Sequence, residues 1–209
     1  MITIYHLSTS RSERIVWLME ELGLEYELER FQREPNGAAP DALKVIHPLG
    51  KAPVIRDGDT VLAESGAIVD YIVHRYGGGR LAVQPTAAAY ARYLYWLHFA
   101  EGSLMSLALI ALVLSRVPEG SASPAGIRVL ARMKQMLSFV DLELGNGPYF
   151  AGADFTAADV MMTFPFTTMR LFLDYDLAPF PNILAYLKRI EARPAYRKAM
   201  VLAGPGIDR

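Results

Sequence analysis

The sequence contains no cysteine among its 209 residues. Disulfide bonds, metal sites built from thiolates and a cysteine nucleophile of the protein's own are therefore excluded. Any thiol chemistry here must use a thiol that arrives with a ligand. Histidine is also scarce, with four residues in the chain, and they show no spacing typical of metal ligands. We therefore expect no metal.

An excess of charge of either sign is missing as well. The 21 Lys and Arg residues nearly balance the 22 Asp and Glu residues, for a formal net charge of −1. No strong field attracts nucleic acid or an anionic membrane surface. The opening residues MITIYHL lack a basic stretch, so we expect no signal peptide. The longest apolar run, residues 104–114, predicts a buried helix because it is too short to cross a bilayer. A cytoplasmic location is the simplest expectation.

The first part of the chain alternates between strand and helix patterns. Hydrophobic residues make up 52% of the whole sequence, which is enough for a sizeable core. In residues 1–76 the order is βαβ and then ββα, which is typical of a small α/β sheet domain. The predicted strands cover residues 2–7, 26–31, 53–56 and 60–63, and the predicted helices cover residues 11–22, 41–45 and 65–76.

The second part changes character after a glycine run at residues 77–79. Only helical patterns follow, and the first of them is long, rich in aromatic residues and expected to bend near Gly102. Thr156 and Asp159 have the spacing of a capping box at a helix start. The predicted helices cover residues 86–116, 124–144, 156–173, 182–192 and 195–202. We therefore expect a second domain that is entirely helical.

Residues 50–66 are the most informative stretch for function. Pro53 precedes a short hairpin that turns at Asp57-Gly58. The hairpin ends at Glu64 and Ser65, where a helix opens. A backbone edge beside a proline can pair with an extended ligand. A carboxylate next to free N–H groups at a helix N-terminus suits a group that carries both charges. The γ-glutamyl end of glutathione, with its amine and carboxylate on one carbon, is such a group.

Three segments give the chain a resemblance to the cytosolic glutathione transferases. YHLSTSRSER at residues 5–14, with WLMEELG at 17–23, is similar to the opening of a fungal and bacterial subgroup. Residues 50–65 and the capping-box segment at 150–159 supply the other two. The resemblance covers nearly the full length. It implies a thioredoxin-like α/β domain at residues 1–78, a linker at 79–86 and an all-α helical domain at 87–209, which contributes the apolar substrate site.

The resemblance implies a hydroxyl that activates the thiol of glutathione. In the family this group is a Tyr, Ser or Cys just after the first strand, and Ser10 falls where the Ser and Cys types place theirs. A gap-free match to the Tyr type indicates Tyr5 instead. Ser8 or Thr9, or no dedicated hydroxyl, are further alternatives. Ser10 also has a purely structural interpretation, because with Glu13 it has the spacing of a capping box.

The resemblance also implies a set of residues that bind glutathione: Arg11, His47, Lys51, Ala52, Pro53, Glu64 and Ser65. Pro53 matches the family's cis-proline, which presents the backbone of Ala52 to the cysteinyl part of the ligand. Glu64 and Ser65 match the residues that take the γ-glutamyl group.

The remaining binding residues are basic. Lys51 stands where many members of the family hold the glycyl carboxylate, and His47 could share that role. Arg11 could hold the thiolate or contact a glutathione carboxylate. Each of these side chains could instead be an ordinary solvated group.

The resemblance implies a glutathione transferase, which adds the thiolate of bound glutathione to an apolar electrophile, as in detoxification. Glutathione is a co-substrate, and no cofactor is implied. Members of the family are commonly homodimers. The electrophile is expected between the two domains, although an aromatic stripe on a helix is more often core. The candidate lining residues are Tyr93, Trp96, Leu97, Phe99, Met105 and Leu109, with Phe164 or Phe172. The alternatives are a glutathione-binding protein without catalysis and a glutathione-dependent peroxidase or isomerase.

Overall fold

The computed structural model describes residues 1–206. Their contacts separate into two compact units. Unit 1 is Met1–Ala82 together with the C-terminal segment from Glu191, and unit 2 is Val83–Ile190.

Unit 1 contains the predicted α/β elements. Across the described residues its strands form one sheet in the order β2-β1-β3-β4, with β1 parallel to β2 and β3 antiparallel to both of its neighbours. The fold class predicted from the sequence is confirmed, and the predicted ends lie within two residues of the observed ones. The elements are β1 (Ile2–Leu7), α1 (Glu13–Leu22), β2 (Tyr26–Phe31), α2 (Ala42–Ile46), β3 (Val54–Asp57), β4 (Thr60–Ala63) and α3 (Ser65–Arg75).

The apolar pattern of the first βα unit explains its place in the core. β1 lies between β2 and β3, and nearly all of its side chains are buried, as expected for a central strand covered on both faces. On α1, Ile15, Leu18 and Leu22 recur at helical spacing, and all are buried. Gly23 ends the helix with φ 62°, a left-handed conformation that glycine adopts without strain.

Unit 2 is helical throughout its regular structure. The elements are α4 (Tyr90–Phe99), a π-helical segment (Ala100–Met105), α5 (Ser106–Ser115), α6 (Pro124–Leu144), α7 (Ala157–Phe166), a 3-10 segment (Thr168–Leu171) and α8 (Pro181–Glu191). The irregularity expected near Gly102 is the π-helical segment, where the Ser106 hydroxyl donates to the Glu101 carbonyl at 2.8 Å. The helix predicted over residues 156–173 is too long. It ends at Phe166 because Thr167 leaves the helical region, with φ −116° and ψ −99°.

One helical run in unit 2 has the length and composition of a membrane span. Tyr90–Ser115 has a mean hydropathy of 1.8 in its most apolar window, and 39% of that window is buried. Core helices of soluble proteins have the same composition. Here Trp96, Leu97 and Met105 lie on the buried side, and α4 packs against α7. One side of this run therefore contributes to the core of unit 2.

The last helix, α9 (Pro194–Ala203), packs against α1 in unit 1. The sequence places it in the helical domain, whereas its contacts place it with the sheet. Glu21 explains the attachment, because its carboxylate accepts two hydrogen bonds from Arg193 at 2.7 Å and one from Trp17 Nε1 at 2.8 Å. The Tyr196 ring packs edge-on against the Trp17 ring, with the centroids 4.8 Å apart.

The capping box predicted at the start of α7 is present. Asp159 is fully buried, and its Oδ2 accepts from the Thr156 backbone N–H at 2.8 Å and from the Thr156 hydroxyl at 3.1 Å. Its Oδ1 accepts from the Phe150 N–H at 3.0 Å. The carboxyl therefore joins the helix start to the preceding loop. Burial nevertheless raises the pKa of Asp159 to about 6, because desolvation disfavours the anion.

This raised pKa predicts a pH dependence of stability. An unfolded Asp titrates near about 3.9, so between that pH and about 6 the folded chain holds a proton that the unfolded chain has lost. The stabilisation by this group is complete below about pH 4 and is lost as the pH rises through about 6. Against an Asp159→Asn variant, the free energy of unfolding of the wild type should fall by about 3 kcal/mol between pH 4 and 7.

Urea unfolding at a series of pH values measures this difference. The exposed Asp154 provides the matched control, because Asp154→Asn removes a nearby carboxyl that is not buried. The quantity compared is the free energy of unfolding of the wild type minus that of Asp159→Asn. If it stays constant or rises with pH, the raised pKa of Asp159 is contradicted.

Candidate active site

One cleft in unit 1 is lined by all of the residues that the resemblance implies for glutathione binding. Ser10, the candidate for thiol activation, is not among the lining residues. The cleft is formed by Arg11, His47, Leu49, Lys51, Ala52, Pro53, Ala63, Glu64 and Ser65. These residues come from three separate loops and helix starts, which the sheet brings together.

The segment that leads into β3 lines this cleft through Ala52 and Pro53. The Ala52–Pro53 peptide bond is cis, as the resemblance implies. Immediately after it, Val54 begins β3 and pairs with Tyr5 of β1 on one side and Ala63 of β4 on the other. The backbone of Ala52 therefore continues the line of a central strand into the cleft, in the position from which an extended ligand could be paired.

Glu64 and Ser65 form the acidic end of the cleft. Glu64 has φ 73° and ψ 118°, a region that residues with a side chain seldom occupy and that costs about 1–3 kcal/mol. Its side chain is exposed, whereas Ser65 is buried and opens α3. The first N–H groups of α3 are available to an anion at this point. A carboxylate and a helix N-terminus thus lie side by side.

The cleft is also lined by basic residues. Lys51 is exposed, and Arg11 and His47 are partly buried. The Leu49 N–H donates to His47 Nδ1 at 3.4 Å, so Nδ1 acts as an acceptor and Nε2 carries the proton of the neutral ring. Gly50 makes the turn before Lys51 with φ 57°, and a side chain there would come within 2.8 Å of Lys44 Cγ. The turn therefore requires glycine.

Ser10 lies in the loop between β1 and α1 and precedes Arg11 in sequence. It is 7% exposed, its Oγ is 2.7 Å from Ser12 Oγ, and it accepts from the Ser12 N–H at 3.3 Å. The predicted capping box with Glu13 does not form through the Ser10 side chain. Instead the Ser10 carbonyl accepts from the Glu13 N–H at 3.2 Å, and α1 begins at Glu13 rather than at Arg11. The Ser10 oxygen accepts from the Ser12 N–H in the turn before α1, but this bond does not use the hydroxyl proton.

The alternatives to Ser10 have other environments. Tyr5 is 6% exposed and packs in a cluster with Leu7, Leu43 and Val54. Its hydroxyl accepts from Arg56 Nε at 2.9 Å. Tyr5 is therefore a core residue of the strand.

Two groups at this loop escaped the sequence analysis. Arg33, just beyond β2, donates from Nε to the Ser8 carbonyl and from Nη2 to the Thr9 carbonyl, both at 3.0 Å. It holds a turn in which Thr9 has φ 51°, which is unusual for a β-branched residue. The parallel pairing of β1 with β2 could have indicated this contact, because the carboxyl ends of parallel strands share one edge. The other group is the pair His6 and Ser12, which contact each other beneath the loop.

Metal ligands are not grouped anywhere in the part of the chain that the structure describes: residues 1–206 contain no cluster of three or more His, Asp or Glu side chains placed to hold an ion. The polar groups of the cleft are instead one carboxylate, two fixed cations, an imidazole and a helix N-terminus.

The comparisons with known proteins agree with this fold. A family model described as "Glutathione S-transferase, N-terminal domain" matches residues 1–74, and one described as "Glutathione S-transferase, C-terminal domain" matches residues 90–194. The chain is 35% identical to Glutathione S-transferase 3 of Schizosaccharomyces pombe, over 95% of this chain and 86% of the relative. It is 32% identical to Glutathione S-transferase 1 of Saccharomyces cerevisiae, over 94% of this chain and 92% of that relative.

Solved structures show the same relationship. A crystal structure of a glutathione S-transferase from Actinobacillus pleuropneumoniae superposes with a TM-score of 0.89 at 38% identity, and covers 100% of this chain and 95% of that chain. The protein therefore belongs to the glutathione S-transferase family, with both of its domains, and the family resemblance drawn from the sequence is confirmed.

Proposed function

We propose that this glutathione transferase binds glutathione in the cleft of unit 1, stabilises its thiolate through Ser10 and directs the sulfur at an apolar electrophile. The observation that carries the proposal is the arrangement of charge in the cleft. The Glu64 carboxylate and the cations Arg11 and Lys51 line the same cleft. Glutathione at neutral pH carries one ammonium and two carboxylates, so the cleft and the ligand are complementary in number and sign of charge.

The γ-glutamyl group fits the acidic end. Its ammonium can pair with the Glu64 carboxylate, and its carboxylate can accept from the first N–H groups of α3 and from the Ser65 hydroxyl. The strained backbone of Glu64, at φ 73°, supports a functional role, because strain of this kind is kept where it orients a group for a ligand. Binding both charges of one carbon atom fixes the orientation of the whole tripeptide.

The other two residues of glutathione extend from there. The cysteinyl backbone can pair with Ala52 beside the cis Pro53, as an added strand would. The glycyl carboxylate can then pair with Lys51 and accept from His47 Nε2. Arg11, next in sequence to Ser10, supplies positive charge near the sulfur or to a carboxylate of the ligand.

Ser10 is the proposed donor to the sulfur. A free thiol has a pKa of about 8.5, and the thiolate is the nucleophile. A hydrogen bond to a charged group contributes about 1.5–3 kcal/mol, and each unit of pKa corresponds to about 1.4 kcal/mol. One hydroxyl near the N-terminus of α1 could therefore lower the thiol pKa by about one to two units.

The reaction itself balances without a further co-reactant. Glutathione loses its thiol proton to solvent, and the sulfur lone pair forms a bond to the electrophilic carbon. In a substitution the leaving group departs with the bonding electrons, and in an addition the adjacent carbon later takes a proton from water. The protein contributes ionisation at working pH and a fixed position for the nucleophile. No other cofactor is part of the proposal.

We propose a cytoplasmic location. Members of this family are generally soluble, and the cytoplasm is the compartment that keeps glutathione in its reduced form. The reduced thiol is the form that the proposed reaction consumes.

A homodimer is also proposed, on the family pattern and on an exposed apolar stripe of α5. Leu109, Ile110 and Val113 lie exposed on this helix of unit 2, and a subunit interface would remove such a surface from water. Sedimentation at micromolar concentration should give twice the chain mass of 23.2 kDa. The variant Val113→Glu should sediment as the monomer, because an unpaired charge would be buried in the interface.

The matched control for the dimer is Val201→Glu, which changes another exposed valine, on α9 in unit 1. It should leave the dimer intact. A monomeric wild type, or a Val113→Glu variant that remains dimeric, would contradict the proposed interface.

Glutathione binding should depend on the charge of Glu64. Glu64→Gln keeps the shape of the side chain but removes the partner of the ammonium, a charge-assisted interaction of about 1.5–3 kcal/mol. We therefore expect the dissociation constant for glutathione to rise about 10- to 100-fold in calorimetric titrations. Glu25→Gln, at an exposed position outside the cleft, should bind as the wild type does. Equal affinities of the wild type and Glu64→Gln for glutathione would contradict the proposed pairing of Glu64 with the ammonium.

Thiol activation is tested by the ultraviolet absorbance of the thiolate of bound glutathione, titrated against pH. In the wild type, the thiol pKa of bound glutathione should lie about one to two units below that of free glutathione. In Ser10→Ala, this pKa should rise most of the way back to the value of free glutathione. Binding with an unshifted pKa would favour a binding protein without catalysis. A lowered pKa that survives in Ser10→Ala would exclude Ser10 as the donor.

A further inference from the structure

Beneath Ser10 lies a chain of buried polar side chains that the proposed function does not yet use. His6 on β1 is 1% exposed, and Ser12 is 0% exposed. His6 Nδ1 lies 2.8 Å from Ser12 Oγ, and Ser12 Oγ lies 2.7 Å from Ser10 Oγ. Both are distances of good hydrogen bonds. We refer to the three side chains as the His6–Ser12–Ser10 relay.

The Ser12 hydroxyl is the centre of the relay, and its hydrogen bonds can be counted. A hydroxyl has one proton and two acceptor sites. The Leu7 N–H, 3.2 Å away, can only donate and uses one acceptor site. The Leu7 carbonyl, 3.3 Å away, can only accept and is the most distant of these partners. The short contacts to His6 and Ser10 are therefore best satisfied when one partner donates to Ser12 and the other receives its proton.

The two possible directions of hydrogen bonding differ in where they leave the hydroxyl proton of Ser10. If Ser12 donates to His6, Ser10 must donate to Ser12, and the Ser10 proton points into the protein. If the His6 Nδ1–H donates to Ser12, then Ser12 donates to Ser10. In that case Ser10 already accepts from the Ser12 hydroxyl and from the Ser12 N–H at 3.3 Å, so both of its acceptor sites are filled. Its own proton is then left for an outside acceptor.

We propose that His6 and Ser12 are positioning residues that set the direction of this relay, so that Ser10 presents its proton to the sulfur of glutathione. The inference rests on the role proposed for Ser10. In this arrangement His6 Nδ1–H donates to Ser12, the Ser12 hydroxyl donates to Ser10, and the Ser10 hydroxyl donates to the thiolate. An anion in the cleft favours this same direction, because each hydroxyl dipole then points toward the negative charge, and aligned hydrogen bonds strengthen one another.

The geometry explains why these groups are suited to the task. The Ser12 oxygen accepts from the Leu7 N–H at 3.2 Å, and this bond ties it to the end of β1 in either direction of the relay. Burial excludes water that would otherwise supply alternative partners to the hydroxyls. The direction of the relay therefore depends on the imidazole, which can donate or accept at Nδ1 according to its tautomer.

The test combines substitutions with the thiolate titration. His6→Leu removes the donor while keeping an apolar group of similar size, and His6→Asn restores an N–H near the Nδ1 position. We expect His6→Leu to raise the thiol pKa of bound glutathione by at least half of the rise caused by Ser10→Ala. His6→Asn should recover most of the wild-type value. In the double variant His6→Leu/Ser10→Ala, the thiol pKa should equal that of Ser10→Ala alone, because the relay acts only through Ser10.

Thr163→Val is the control for general destabilisation. It removes a buried hydroxyl of unit 2 that donates to the Asp159 carbonyl at 2.8 Å and contacts the Tyr186 hydroxyl. It should lower stability without moving the thiol pKa.

The outcomes separate this inference from the function on which it rests. If Ser10→Ala raises the thiol pKa and His6→Leu does not, the relay is overturned and the role of Ser10 stands. If the two substitutions add in the double variant, His6 acts by another route and the relay is overturned. If Ser10→Ala leaves the thiol pKa unchanged, the role of Ser10 fails and the relay fails with it.

A second measurement reads the relay directly and does not depend on activity. Nitrogen NMR of the imidazole rings distinguishes a protonated Nδ1 from an unprotonated one, and the chain has four histidines, so His6→Asn assigns the signal. The relay requires Nδ1 of His6 to carry a proton in the glutathione complex. An unprotonated Nδ1 in that complex would overturn it.

Discussion

The loop between β1 and α1 depends on the hydrogen bonds of the Ser12 hydroxyl. It is completely buried and contacts both polar groups of the Leu7 backbone, the imidazole of His6 and the hydroxyl of Ser10. Through these contacts the end of the central strand, the loop that follows and the first helix keep a fixed relation. An apolar side chain at this point would leave several buried polar groups without partners, which costs about 1–3 kcal/mol for each group.

Two further backbone features shape the cleft. At the start of β3, the pairing of Val54 with Tyr5 places the backbone of Ala52 at the end of the strand. Toward α3, the strained backbone of Glu64 sets a carboxylate beside a helix N-terminus. The first feature can recognise a peptide backbone, and the second a group with both charges. Together they explain why an α/β sheet domain of this kind suits a short peptide that carries a thiol.

The sequence predicted most of this architecture because the signals are local. β1 is a continuous apolar run, α1 has apolar residues at helical spacing before Gly23, and the Asp57-Gly58 turn marks the hairpin. The capping box of Thr156 and Asp159 also depends on residues three apart. Where the sequence overstated a helix, as beyond Phe166, the backbone turns at Thr167. The π-helical segment at Ala100–Met105 is a change in hydrogen-bond register that periodicity marks only as a bend.

The sequence by itself determined the fold class and the family, because their motifs are runs of adjacent or regularly spaced residues. Through the resemblance that these motifs carry, it also indicated the seven residues that come to line the cleft. Only the tertiary structure decided which buried groups form hydrogen bonds next to Ser10. His6 and Ser12 are six residues apart and meet because α1 folds back over β1. Arg33 reaches the loop because β2 runs parallel to β1. The attachment of α9 to α1 joins Glu21 to Arg193 across most of the chain. These contacts depend on long-range packing, which no local pattern encodes.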